Sequence, residues 1–262
     1  SGGQHSRTRH DSSSVSECKA MITRRTLLKV LGAGTALAGL AGCGSRISQY
    51  RQKMTVEVET PSGLRTGSSV IEVRFAAKPD FLSAIPGNGF AMRGEAVLVD
   101  FGQGQLLFAL LRPPLEKGSD LAWYQTMLFS DAMLAGASPQ PPLRLPDTGR
   151  SLEAHAMIGR SRARLMLPPD LYPMLVTFPD PTRAQSVVQV DPQDLAASFG
   201  AGVRLKAISL EITDKALTTG LAQRLRALGI AEDMGLDPKL GVSAHPTLAQ
   251  LLSHADFISV WH

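Results

Sequence analysis

From Gln52 to Thr60 the apolar residues Met54, Val56 and Val58 alternate with Thr55, Glu57 and Glu59, the period-two pattern of a strand with one face in a core. Ser68 to Phe75 is rich in Val and Ile, and the loop Pro61 to Gly67 between the two runs predicts an antiparallel hairpin. After a Pro/Gly stretch, Ala84 to Gly89, a second hairpin is predicted from Gly94–Phe101 and Gln105–Leu111 around Gly102-Gln103-Gly104. Its continuous apolar runs, Ala96–Val99 and Leu106–Leu111, place it centrally, covered on both faces. Ser119-Asp120 offers an N-cap, and Leu121, Tyr124, Leu128 and Ala132 recur at helical spacing to about Ala135. Pro139, Pro141, Pro142 and Pro146 make 138–147 a connector that is neither helix nor central strand and could join two lobes.

Strand signal returns over Leu152–Leu167, Leu171–Phe178 and Ser186–Val190. Asp191 is placed to cap a short helix, with Pro192 at its first position, that stops before Gly200. Val203–Thr213 alternates as a strand, and Thr218-Thr219 can cap a helix over Gly220–Leu228 whose stripe is Leu221, Leu225 and Leu228. A last short helix is expected over Thr247–Leu252. The pattern predicts an α+β fold, mainly antiparallel sheet built from hairpins with a few short helices on one side, as a single domain over 52–262.

The first fifty residues follow other rules. Residues 1–20 are rich in Ser, His and Arg, cannot build a core, and are expected to be disordered, an added or upstream-translated segment ahead of a start at Met21. From Met21 a short basic region, a weakly apolar region and small residues before Cys43 make an export signal over 21–42. The apolar part is too short and too rich in Gly to span a bilayer. Thr23-Arg24-Arg25-Thr26-Leu27-Leu28-Lys29 resembles the twin-arginine export signal, and Leu40-Ala41-Gly42-Cys43 resembles the lipobox of bacterial lipoproteins. These resemblances imply export through Arg24 and Arg25, acylation of Cys43, a lipid-anchored tether over 43–51, and a place in the bacterial cell envelope facing the periplasm. Gly44, standing where an Asp would favour the inner membrane, points to the outer membrane of a two-membrane host.

The leader also explains the charge. The 262 residues carry 27 Lys plus Arg against 23 Asp plus Glu, a net +4. Arg7, Arg9, Lys19, Arg24, Arg25 and Lys29 against Asp11 and Glu17 account for all of that excess before Gly44, so the body is neutral. A neutral body with 5% aromatic residues has neither the field nor the stacking surface for nucleic acid. The two cysteines are Cys18 and Cys43, which leaves the body without thiols for a disulfide, an iron–sulfur cluster or a Cys-based zinc site. The Gly-rich pieces lie in the leader (Gly32-Ala33-Gly34) and a hairpin turn (Gly102-Gln103-Gly104), without a Walker lysine, so no cofactor is expected.

Three phrases carry a wider likeness: Thr55 to Val70 (TVEVETPSGLRTGSSV), Val190 to Gly200 (VDPQDLAASFG) and Leu210 to Asp214 (LEITD). They resemble a family of uncharacterised proteobacterial hypothetical proteins, over most of Tyr50–Leu228. The resemblance implies no catalytic residue.

Candidate chemistry is sparse. His254, Asp256 and His262 are possible metal ligands, but their spacing fits no helix face, and surface or capping roles are the simpler account. A Gly-x-Ser-x-Gly elbow is missing, so a serine hydrolase would need a remote triad around His155. Glu57, Glu59 and Glu72 lie on facing strands of the first hairpin, where paired carboxylates can divide acid and base roles; Glu57 and Glu59 alternate as solvent-facing residues do. Arg160, Arg162 and Arg164 at i, i+2 and i+4 would project from one face of a strand and could hold an anionic headgroup or wall polymer, or simply guard an edge. The reading that results is a non-enzymatic envelope binding or accessory module, anchored to the membrane at Cys43 and partnered by an envelope protein or an anionic lipid or polymer; the alternative is an exported hydrolase.

Overall fold

Two fourteen-residue strands, β1 (Ile47–Thr60) and β2 (Gly63–Ala76), pair antiparallel from Ile47↔Ala76 to Thr60↔Gly63 with only Pro61-Ser62 between them. The turn is far tighter than the seven-residue loop expected, and Gly63, at φ +114°, supplies the backbone conformation that permits it. β1 also begins at Ile47, so the end of the expected tether belongs to the sheet. The computed structural model of the protein describes residues 47–77, 89–230, 235–237 and 245–260. Arg24, Arg25, Cys43 and His262 lie outside the described residues.

The chain continues through β3 (Gly89–Glu95), β4 (Val97–Gly102) and β5 (Gln105–Ala109), the last two forming the second expected hairpin. Helix α1 (Leu121–Leu134) follows, capped by the Asp120 side chain, which accepts from the Trp123 amide at 2.9 Å. Where strand was expected, 152–161 is helix α2 (Leu152–Ser161): Ser151 Oγ accepts from the Ala154 amide, Glu153 and Arg160 suit the two ends of the dipole, and Ala154, His155 and Ile158 form the buried stripe. Next come β6 (Arg164–Met166), β7 (Leu175–Thr177), β8 (Val188–Gln189) and the short α3 (Ala196–Phe199). Asp191 does not cap α3; its carboxylate accepts from the Gln193 amide in a preceding turn, and Asp194 takes the Ala197 amide instead. β9 (Arg204–Thr213), α4 (Leu221–Ala227), α5 (Leu248–Leu251) and β10 (Ile258–Ser259) complete the described elements.

The fold is α+β, with two antiparallel sheets ordered β10-β3-β2-β1-β9-β6 and β4-β5-β7-β8. β1 sits at the centre of the larger sheet because β9 pairs along its free edge, with a bulge between Glu57 and Val58. Tyr50, Gln52, Met54, Val56 and Val58 all face the core, together with Ile71, Val73 and Phe75 of β2. Both long helices lie on that face: Gln52 Nε2 donates to the Gln125 carbonyl of α1 at 3.0 Å, and Tyr50 packs against Gly159 of α2. The second sheet meets the same face further along the hairpin, where Gly67 approaches the backbone of Leu98 so closely that a Cβ would lie 2.2 Å from its carbonyl oxygen. Residues from both sides of the Pro-rich connector contribute to one hydrophobic core.

The opposite face of the larger sheet is polar. Glu72 stands in register between Arg51 and Arg93, and Glu211 between Lys53 and Arg164. Glu57 pairs with Lys206 at 3.2 Å and Glu59 with Arg204, so those two carboxylates belong to cross-strand ion pairs on the outer face. Helices on one side and charge ladders on the other match the alternation read along β1.

Candidate functional site

A cleft of about 380 Å³ opens between three stretches of chain: Pro113–Asp120, one face of α1 from Trp123 to Asp131, and Asp170–Tyr172. The first stretch leaves the second sheet at Arg112-Pro113-Pro114 and turns through a 3-10 turn, Leu115–Lys117. Arg112 holds it from beneath: its guanidinium is buried, pairs with Asp256 at 3.2 Å, and reaches the Gly118 carbonyl at 3.5 Å. Because Asp256 also caps its own turn by accepting from the Ser253 amide at 2.7 Å, the C-terminal segment and the cleft wall share one buried ion pair.

α1 presents Asp120, Trp123, Tyr124 and Asp131 to the cleft, a spacing that keeps them on one helical face. Tyr124 is buried, and its hydroxyl donates to the Leu171 carbonyl at 2.8 Å, tying α1 to the third stretch. Lys117 Nζ donates to the Asp170 carbonyl and ties the first stretch to the same turn. Trp123 is 38% exposed, and the guanidinium of Arg150 lies 5.7 Å from its ring centroid while pairing with Asp131 at 2.9 Å. Burial raises the phenols of Tyr124 and Tyr172 above their ordinary value, so both stay neutral donors and aromatic walls. Walls that combine ring faces with carboxylates favour ligands with an apolar body and a polar or cationic head.

The expected arginine row does not form. Arg160 is in the last turn of α2, Arg162 is the left-handed residue that ends the helix at φ 55°, and Arg164 is in β6. The three therefore share no face, because a helix advances about 100° per residue where a strand alternates. Arg162 is exposed and pairs with Asp214 at 2.7 Å, and Arg164 reaches Ser209 at 3.3 Å.

His155 is 1% exposed among the rings of Tyr50 and Phe75, with centroids 4.4 and 5.6 Å away. Among the described residues neither ring nitrogen has a hydrogen-bond partner, whereas a triad base must hold one to its nucleophile and another to its orienting acid. Burial pushes its pKa down to about 4. Glu72 is buried beneath Arg51 and Arg93, at 3.0 and 2.7 Å, and lies well away in register from Glu57 and Glu59, so the three carboxylates do not form one site. His254 and Asp256 stand in one 3-10 turn, but the Asp256 carboxylate is already taken by Arg112 and Ser253. Among the described residues there is no cluster of three or more metal-ligating side chains.

The cleft residues Lys117, Trp123, Asp170 and Tyr172 were not legible as a group, because Tyr124 reads as part of the apolar stripe and Leu171-Tyr172 as the start of a strand, where the structure has the 3-10 turn Pro169–Leu171 and begins β7 only at Leu175. One signal was present: one of the two tryptophans and two of the three tyrosines fall between residues 123 and 172. No family model, no curated protein and no solved structure matches this chain.

Proposed function

We propose that the chain is an exported, membrane-anchored lipoprotein whose folded body is a binding module of the bacterial envelope. The observation that carries the binding reading is the cleft: aromatic walls and carboxylates converge on an open space of about 380 Å³, and three tertiary ties, through Arg112, Tyr124 and Lys117, hold its walls in place before any ligand arrives. The leader carries the anchoring reading through Arg24, Arg25 and Cys43. His155 lends the exported-hydrolase alternative no support, since among the described residues it engages neither a nucleophile nor a carboxylate. With the arginine row dispersed, anionic lipid or wall polymer loses the feature that recommended it as a partner.

The test is expression of the intact precursor in a bacterial host fed a labelled fatty acid. The wild type is expected to take up label and to partition with detergent, and Cys43→Ser to do neither. Replacing Arg24 and Arg25 by Lys is expected to leave unprocessed precursor inside the cell. A wild-type protein that is unlabelled and fully soluble overturns the anchoring reading.

A further inference from the structure

The strongest unassigned chemistry on the molecule is the charge of the cleft taken together with its rings. Among the described residues three carboxylates, Asp120, Asp131 and Asp170, line the cleft against the single lining cation Lys117 and its neighbour Arg150, while Arg112 beneath the wall is neutralised by Asp256. Asp120 is engaged by an amide and Asp131 by Arg150. Asp170 uses only its backbone carbonyl, toward Lys117; its carboxylate has no hydrogen bond or ion pair among the described residues. An anionic ligand would meet repulsion here, and a neutral one would desolvate carboxylate without compensation. A cation gains from both the ring faces and the carboxylate.

The chain already shows this recognition with its own side chain. Arg150 lies against Trp123 and is held at Asp131, a cation satisfied at once by an aromatic face and a carboxylate. Tyr172 and Asp170 offer the same pair of chemistries on the other side of the cleft.

Resting on the binding-module reading, we infer that the cleft binds a small organic cation, an ammonium group carried on a short apolar body, between the Trp123 and Tyr172 rings with its charge toward Asp170. The volume is in the range of small-molecule sites, roughly 300–1,000 Å³, which fits a free amine better than a folded partner.

The experiment is calorimetric titration of the full-length Cys43→Ser protein with choline, putrescine and N-acetylglucosamine, so that the result does not depend on anchoring. Saturable binding of choline or putrescine is expected, weakened about tenfold by Asp170→Asn and by Trp123→Leu, largely restored by Trp123→Phe, and unchanged by Arg160→Ala. Circular dichroism of each variant separates lost binding from lost folding. Sugar binding without amine binding overturns the cation inference while leaving a binding module; silence with all three probes overturns the cation inference; amine binding indifferent to Asp170→Asn and Trp123→Leu also overturns it, by moving the site elsewhere.

Discussion

Glu95 and Leu221 stand 126 residues apart in sequence, yet the Glu95 carboxylate caps the helix that Leu221 begins, accepting from the Leu221 amide at 2.9 Å and from the Gly220 amide at 3.1 Å. The side chain at the end of β3 does what Thr218 or Thr219 was expected to do. Thr218 is occupied elsewhere: its amide donates to the Val70 carbonyl at 3.1 Å and its hydroxyl accepts from the Val70 amide at 2.9 Å, closing β2 where β3 has turned away. Glu95→Ala is therefore expected to cost about 1–3 kcal/mol, by leaving two amides without an acceptor, and Glu95→Gln to recover part of it. Urea denaturation of the two variants measures the difference.

His155 makes stability depend on pH in a defined window. Its folded pKa lies near 4, below the ordinary 6.5, so between these values the unfolded chain binds the extra proton. Stability is full above about 6.5 and is lost as pH falls toward 4, by on the order of 3 kcal/mol. His155→Leu removes two unpaired buried nitrogens and is expected to abolish this slope without loss at pH 7.5. Denaturation midpoints at pH 7.5 and 5.0 decide it; a slope that survives the substitution assigns the effect to another group.

Glu72 acts lower on the scale. Burial pushes its carboxyl up, but hydrogen bonds from Arg51, Arg93 and Gln49 overcome that and hold it below the ordinary value of 4.5. Its contribution is present above 4.5 and is lost as the pH drops below it. Glu72→Gln should cost about 1–2 kcal/mol at pH 7 and flatten the acid limb below that of His155, as read by thermal melts from pH 5 to 3.

Gly67→Ala is expected to be among the most damaging single substitutions, about 3 kcal/mol or more, because the new Cβ would collide with the Leu98 backbone rather than with a side chain that can rotate away. Loss of soluble expression, or a sharply lowered melting temperature, is the expected outcome; a near-wild-type melt would mean that the second sheet can shift without cost.

The elements legible in the sequence are those whose stability is local: the alternation along β1 and β9, the Asp120 cap and apolar stripe of α1, and the Leu221/Leu225/Leu228 stripe of α4. Segment 152–161 has Ala, Met and Ile that fit either period over so short a run, and the decision for helix rests on one residue outside the pattern, the Ser151 cap. The arginine row follows from the strand reading of this segment and falls with it. The rest of the site is held by contacts that span the chain, Arg112 with Asp256 and Tyr124 with Leu171, and no periodicity announces a pair 144 residues apart. The capping of α4 by Glu95 is hidden for the same reason.

The central position of β1 has a consequence for the order of assembly. A ribosome releases β1 and β2 early, but the neighbour that fills the free edge of β1 is Arg204–Thr213, which emerges only after some 130 further residues. Until then α1 and α2 can cover the apolar face of the longest hairpin, but its backbone edge stays open, the condition under which nascent chains mispair or recruit a chaperone. Truncations that end before residue 204 should therefore aggregate, and those that reach beyond 213 should be the first to remain soluble.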